Sequence, residues 1–246
     1  MKICIAQTKS ESGNVSKNIQ NHLKHIAHAI ELKSDVIVFP ELSITNYEPE
    51  LAKDLATTVN DSIFNPFQNL SDINQITIGI GMPIKAINGI HISMLLFQPN
   101  KKRTVYSKRI LHADELPYFV SSTNQPFLNV KGKTIALGIC YETLERDPFI
   151  AAKKHNADAY IASVSKPNSG TDKAYTHFPL IAEEFEIPIL MCNAIGYSDN
   201  FVANGLSAVW NKKGELVAQM DKENSGLLIY DTETEKVLNA YHVHGG

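Results

Sequence analysis

The stretch KTIALGICYETLERD, residues 133 to 147, decides how the chain is read. Thr134 to Ile139 is short, continuous and apolar, which predicts a buried strand that delivers Cys140 to its C-terminal end. Tyr141 and Glu142 follow the thiol, then a turn, then a helix from about Leu144 to His155. A cysteine at a strand-to-helix turn presents its sulfur above the sheet, where backbone N–H groups of the turn can face an oxyanion. The same place suits a packing residue, since free Cys is among the most buried residue types. Position alone favours packing. A base and an electrostatic partner must come from elsewhere in the chain.

Working outward, Lys2–Gln7 predicts a first strand, and Asn14 an N-cap for a helix running to about Lys33. In that helix Ile19, Leu23, Ile26, Ala27 and Ile30 give an apolar face. Asp35–Phe39 predicts a strand buried on both faces, stopped by Pro40. Short helices follow over about Pro49–Thr57 and Asp61–Leu70, then a three-stranded antiparallel meander over Gln75–Pro83, Gly89–Gln98 and Arg103–Ser107. Residues 106–119 fit a loop with a helical turn, and Gln125–Val130 a strand before the opening stretch. Beyond it come a strand (Asp158–Val164), a helix (about Asp172–Phe185) and a strand (Ile187–Asn193). Gly205–Trp210, Glu215–Gln219 and Gly226–Tyr230 complete the pattern. No linker or repeat divides it. The expectation is one α/β domain over residues 1–246, with two packed sheets flanked by helices.

Composition narrows the function classes. A formal charge of −3 offers no electrostatic reason to expect nucleic acid or an anionic membrane. Lys101-Lys102-Arg103 reads as a polar hairpin turn. The three cysteines, Cys4, Cys140 and Cys192, cannot all pair within the chain and lack metal-ligand spacing, which fits a reduced, cytoplasmic protein. No window approaches the roughly 18 apolar residues of a membrane span. The terminal His242 and His244 are a weak metal pair and suit a tail packed on a partner subunit better. No metal or cofactor is expected.

Three ionisable residues end predicted elements: Glu41 after DVIVFP, Lys108 after the meander, and Cys140. Ligands in open α/β sheets gather at the C-terminal ends of strands. A carboxylate can take a thiol proton, and an ammonium can hold charge developing on a carbonyl oxygen. Taken singly, each has a plainer reading: a surface glutamate, a solvated lysine, a packed cysteine. Their joint occurrence shifts the balance towards acyl transfer without a metal.

Over nearly its whole length the sequence resembles the nitrilase (carbon–nitrogen hydrolase) superfamily. The resemblance rests on KICIAQ, on VIVFPELSITNY, on NGIHISMLLFQPNKKRTVYSKRIL with its Tyr-x-Lys, on GICYE, and on the later IPILMCNAIG and NGLSAVWNKKGELV. It implies an α-β-β-α sandwich, usually dimeric, that cleaves nonpeptide C–N bonds of a small-molecule amide through a cysteine thioester. It maps the base onto Glu41, the oxyanion-holding lysine onto Lys108 and the nucleophile onto Cys140, with the Tyr141 N–H as a second oxyanion donor. A second glutamate beside the lysine maps onto Glu115, with Asp114 as competitor.

The chain departs from the pattern at Thr143–Arg146, at Ile181–Glu184, and at Asn46, where glycine is usual; all three are expected near the substrate. Tyr47, Tyr141 and Lys166 are candidate substrate-binding residues, and Tyr118, Phe119 and Asn193, also beside motif positions, are further candidates for the pocket lining. Lys166 reads either as a partner for a substrate carboxylate or as a solvated lysine. Rival functions are an acyltransferase with an amine acceptor and a noncatalytic binding or regulatory protein on the same fold. A nucleotide-binding protein needs a Gly-rich phosphate loop after the first strand, where only TKSESGN stands.

Overall fold

The computed structural model describes residues 1–241; His242 to Gly246, with the expectation placed on them, lie outside. The chain begins with β1 (Lys2–Gln7), α1 (Val15–Glu31), β2 (Val36–Val38), α2 (Ala52–Leu55), α3 (Asn65–Asn74), β3 (Thr77–Ala86), β4 (Gly89–Phe97) and β5 (Thr104–Ser107). Next come β6 (Leu128–Val130), β7 (Lys133–Ile139), α4 (Asp147–Lys154), β8 (Ala159–Val164), α5 (Asn168–Phe185) and β9 (Ile189–Asn193). The last strands are β10 (Ile195–Ser198), β11 (Phe201–Asn204), β12 (Ala208–Trp210), β13 (Leu216–Gln219), β14 (Gly226–Asp231) and β15 (Val237–Tyr241).

Two mixed sheets form, one in the order β15-β14-β1-β2-β3-β4-β5 and the other β13-β12-β9-β8-β7-β6. Their facing surfaces make one core, in which Ile3, Ile5, Val36 and Val38 meet Ile135, Leu137, Ile161 and Leu190. The alternate residues of the same strands point outward: Cys4, Ala6 and Ile37 pack under α1 and α3, and Tyr160, Ala162 and Val164 under α4 and α5. Continuous apolar strands are therefore what an α-β-β-α sandwich requires, because each central strand is covered on both faces. No helix among the described residues is long and apolar enough to cross a membrane.

Some local expectations are corrected. In α1 Ile26 is buried and Ile19, Leu23 and Ile30 pack against the core as expected, but Ala27 is exposed and Asn18, His22, His25 and Ala29 are buried as well. The polar ones are tolerated because they are bonded: His22 Nδ1 lies 2.7 Å from the Asn18 carbonyl, its Nε2 2.9 Å from Ser43 Oγ, and its ring stacks on Phe39. Directly after the thiol the chain forms a 3₁₀ turn, Cys140–Leu144, and the α-helix starts only at Asp147 with Pro148 in its first turn. The β10–β11 hairpin and β15 were not anticipated; Gly196, with φ 88, and Asp199 at the turn, with φ 47, interrupt the hairpin's apolar signal.

Candidate active site

Glu41 follows β2 in a loop lying directly on β3. A Cβ on Gly81 would stand 2.3 Å from the Leu42 nitrogen and 2.5 Å from the Pro40 carbonyl oxygen, so only glycine lets the loop sit this close. The Ile44 N–H donates to the Gly81 carbonyl (3.0 Å), and the Gly81 N–H to Ser43 Oγ (3.2 Å). Asn46 has φ 64, and asparagine is the residue after glycine that best tolerates this left-handed conformation. The departure from the usual glycine therefore keeps the backbone shape. Its amide gains two bonds, Nδ2 donating to Glu48 Oε1 and to the Tyr197 carbonyl, both at 2.9 Å.

Lys108 extends β5 by one ladder bond, its N–H donating to the Ile92 carbonyl at 2.9 Å. Its Nζ lies 2.8 Å from Glu41 Oε1 and 2.6 Å from Glu115 Oε1, with exposures of 0%, 3% and 1% for Lys108, Glu41 and Glu115. Glu115 also accepts from Tyr47 Oη (3.1 Å) and the His112 N–H (2.8 Å). Asp114 is exposed and paired with His112, so between the two acids it is Glu115 that stands at the lysine.

Cys140 directly follows β7 with φ 49, a strained conformation for a residue with a Cβ. The thiol is 3.9 Å from the Ser165 carbonyl, beyond the end of β8. One residue not singled out in the sequence holds this turn to the lysine segment. Glu142 is fully buried; its Oε1 accepts from Tyr106 Oη (2.6 Å) and the Ile139 N–H (2.8 Å). Its Oε2 accepts from the N–H groups of Arg109 (2.7 Å) and Ile110 (3.3 Å). A glutamate two residues past the thiol, facing a Tyr-x-Lys on the other sheet, was the available signal.

The electrostatics follow from burial. Desolvation pushes the Glu41 carboxyl up, and the opposing pull of Lys108 does not cancel it. Burial alone would lower Lys108, but Glu41, Cys140 and Glu115 around it outweigh that and hold it charged. The Cys140 thiol is pushed up to about 11 by burial and then by Glu41, with Lys166 and Lys108 pulling down. Glu41 Oε2 is buried and, among the described residues, has no partner other than the Cys140 thiol that bears on this carboxyl, so that edge is able to take the thiol proton.

These groups open onto a cavity of about 270 Å³ lined by Tyr47, Lys108, Glu115, Cys140, Tyr141 and Lys166, with the starts of the 3₁₀ turn and of α5. All the candidate site residues read from the sequence except Glu41, which is buried behind Lys108, therefore line this one pocket. Phe201 of the unanticipated β11 joins them, its ring 5.7 Å from that of Tyr47. Of the departing segments only Leu144 reaches the pocket; Arg146 and Glu184 are exposed and paired with each other, and Ile181 and Ala182 pack in the core under α5. Phe119 and Asn193 are buried outside the lining and Tyr118 is exposed.

Known proteins resemble both sequence and fold. A structure of an amidase from Nesterenkonia sp. AN1 superposes with a TM-score of 0.85 at 20% identity, covering 94% of this chain and 92% of that one. The same amidase bound to butyramide, with its cysteine replaced, gives 0.84 at 20% identity over 93% and 89%. Among curated sequences, a glutamine-dependent NAD(+) synthetase of Acinetobacter baylyi is 23% identical over 89% of this chain, and one of Xanthomonas campestris 27% over 87%. The chain spans only 41% and 40% of those two proteins. The family model for carbon-nitrogen hydrolases matches residues 2–239. By that match the chain belongs to the carbon–nitrogen hydrolase family.

Proposed function

We propose that residues 1–246 act as one unit that hydrolyses a small-molecule amide through a thioester on Cys140. The observation that carries this reading is the buried Lys108 ammonium bound by Glu41 and Glu115, in a pocket that also exposes the Cys140 thiol. Glu41 takes the thiol proton as sulfur attacks the amide carbon and a C–S bond forms. The oxygen, now negative, is held by Lys108 and by the Tyr141 N–H; the first N–H groups of a helical turn have no partner within it. Collapse breaks the C–N bond as Glu41 returns the proton to the departing nitrogen. Water then attacks the thioester, Glu41 takes its proton, and the C–S bond breaks with the proton passing back to sulfur. Glu115 holds Lys108 in place, and Tyr47 holds Glu115.

A neutral resting thiol next to a carboxylate raised by burial suits this cycle, because the base must receive and return the same proton. A variant of the amidase neighbour carries acrylamide joined to its active-site cysteine by Michael addition, a bond to the alkene carbon that speaks for a nucleophilic cysteine and not for attack on the amide carbon. The test is ammonia release across a panel of small amides, with Cys140→Ala as control and intact mass to trap an acyl adduct. Turnover and an adduct, both lost in the variant, are expected. No turnover of any amide and no adduct on the wild-type chain defeats the reading. Faster adduct decay on adding an amine would move it to acyl transfer.

A further inference from the structure

The β10–β11 hairpin belongs to neither large sheet, and its two ends are held to the body in different ways. Its base is fixed by main chain. The Ile195 N–H donates to the Thr8 carbonyl (3.1 Å), and the Asn204 N–H to the carbonyl of Lys166 (2.9 Å), a lysine that is buried and not solvated. Among the described residues, no main-chain hydrogen bond joins residues 196–203 to anything outside the hairpin. Its faces also differ. The cross-strand pair Tyr197 and Val202 is exposed, whereas Ser198 and Ala203 on the other face are buried and Phe201 lines the pocket. The tip is therefore a wall of the pocket with no ladder to secure it.

What secures it is one buried amide on the loop that carries Glu41. Asn46 Nδ2 donates to the Tyr197 carbonyl (2.9 Å), and Asn46 Oδ1 accepts from Ser198 Oγ (3.2 Å). The second Nδ2 proton goes to Glu48 Oε1, so the amide is oriented with its oxygen towards Ser198. The remaining polar tie of the tip, among the described residues, is Ser165 Oγ donating to the same Ser198 hydroxyl at 3.4 Å. The apolar contact beside these bonds is the Phe201 ring against Tyr47, the residue directly after Asn46. Asn46 does not itself line the pocket, so its influence there passes through the hairpin. It also stands where glycine is usual. The tie thus belongs to this chain's own departure from the family pattern.

We propose that Asn46 is a specificity-determining residue: its amide latches the tip of the β10–β11 hairpin, and the latched Phe201 limits the width of the group that reaches Cys140. The main-chain bonds at Ile195 and Asn204 make the base a pivot, and the side-chain bonds at Asn46 decide how far the tip swings from it. The inference needs only the pocket around Cys140. Its kinetic arm alone rests on the hydrolase reading.

The experiment measures alkylation of Cys140 by iodoacetamide and by the wider iodoacetanilide, each rate divided by that of a free thiol, with peptide mass mapping to locate the adduct. The wild-type chain is expected to favour iodoacetamide. Asn46→Gly keeps the left-handed backbone and removes the amide, so the anilide-to-amide ratio should rise about fivefold or more, well within what two lost hydrogen bonds allow. Asn46→Asp tolerates the same backbone but turns an oxygen towards the Tyr197 carbonyl, and should raise the ratio too. Ser198→Ala should raise it less. Any change in thiol reactivity cancels in the ratio, because both reagents carry the same reacting carbon. Under the hydrolase reading, kcat/KM for phenylacetamide relative to acetamide should rise in parallel, chiefly through KM. A wild-type ratio near one, or a ratio unchanged in both Asn46 variants, overturns the latch. A rise in Asn46→Gly alone overturns it as well, since backbone freedom would then be the cause. Failure of the hydrolase reading shows instead as no turnover of either amide, and the alkylation ratio still decides the latch.

Discussion

Cys140 and Cys192 both belong to the six-stranded sheet, close to the C-terminal ends of parallel strands, and burial raises the thiol pKa of both. Cys192 lies inside β9 and points into the space between the sheets, its sulfur donating to the carbonyls of Ala6 and Val38, each at 3.2 Å. Cys140 stands one residue past its strand, in a left-handed turn that lifts it out of the core and into the pocket with Lys108, Glu115 and Lys166. Strand-end position and burial are common to the two thiols. What separates them is a shift past the strand and the charges waiting there.

Removing the base should cost most. Glu41→Gln is expected to lower kcat by about 10²–10⁴-fold while the fold persists, the usual range for a general base. The wild-type pH profile sharpens the same point. Because burial raises Glu41 above its ordinary 4.5, its base form is lost as pH falls through that raised value, so kcat/KM should decline on the acid side above pH 4.5. A decline at an ordinary carboxylate pH would show that Glu41 is not the base.

Glu142→Gln comes next. The amide NH₂ would face N–H or hydroxyl donors that now give to a carboxylate, leaving at least one unpaired at a cost of about 1–3 kcal/mol. Thermal melts should show that loss, and kcat a further fall of about tenfold or more as Cys140 and Lys108 lose registration. Unchanged melting would remove Glu142 from its positioning role. The smallest effect is expected of Cys192→Ala: about 1 kcal/mol of stability, with amide turnover retained. Loss of turnover there would erase the distinction between the two thiols.

Two packed sheets were legible because DVIVF reads as a strand covered on both faces and the strands outnumber what one doubly wound sheet needs, and the α-β-β-α order followed from the family resemblance. Glu41, Lys108 and Cys140 stood out in the sequence at element ends, whereas Glu115, with Asp114 as competitor, came only from the family resemblance. The apolar face of α1 was legible in Ile19, Leu23, Ile26 and Ile30, which pack on the core, but not in the buried Asn18 and His22, made tolerable by partners far along the chain such as Ser43. The hairpin that brings Phe201 to Tyr47 was missed for want of hydrophobic alternation around Gly196 and Asp199. The role of Glu142 was only half local: its place two residues past the thiol was a signal, but most of its donors come from residues 106–110, beyond its own turn.

That carboxylate has a consequence for how the molecule breathes. The Arg109 and Ile110 amides lie in a loop, where amide protons ordinarily exchange with solvent through small local openings. Here both are tied to a buried group that also holds Tyr106 and the last residue of β7. Releasing either amide disturbs both sheets at once, so hydrogen exchange at Arg109 and Ile110 should be as slow as in the neighbouring strands. The loop that bears the lysine then opens with the sandwich, not before it.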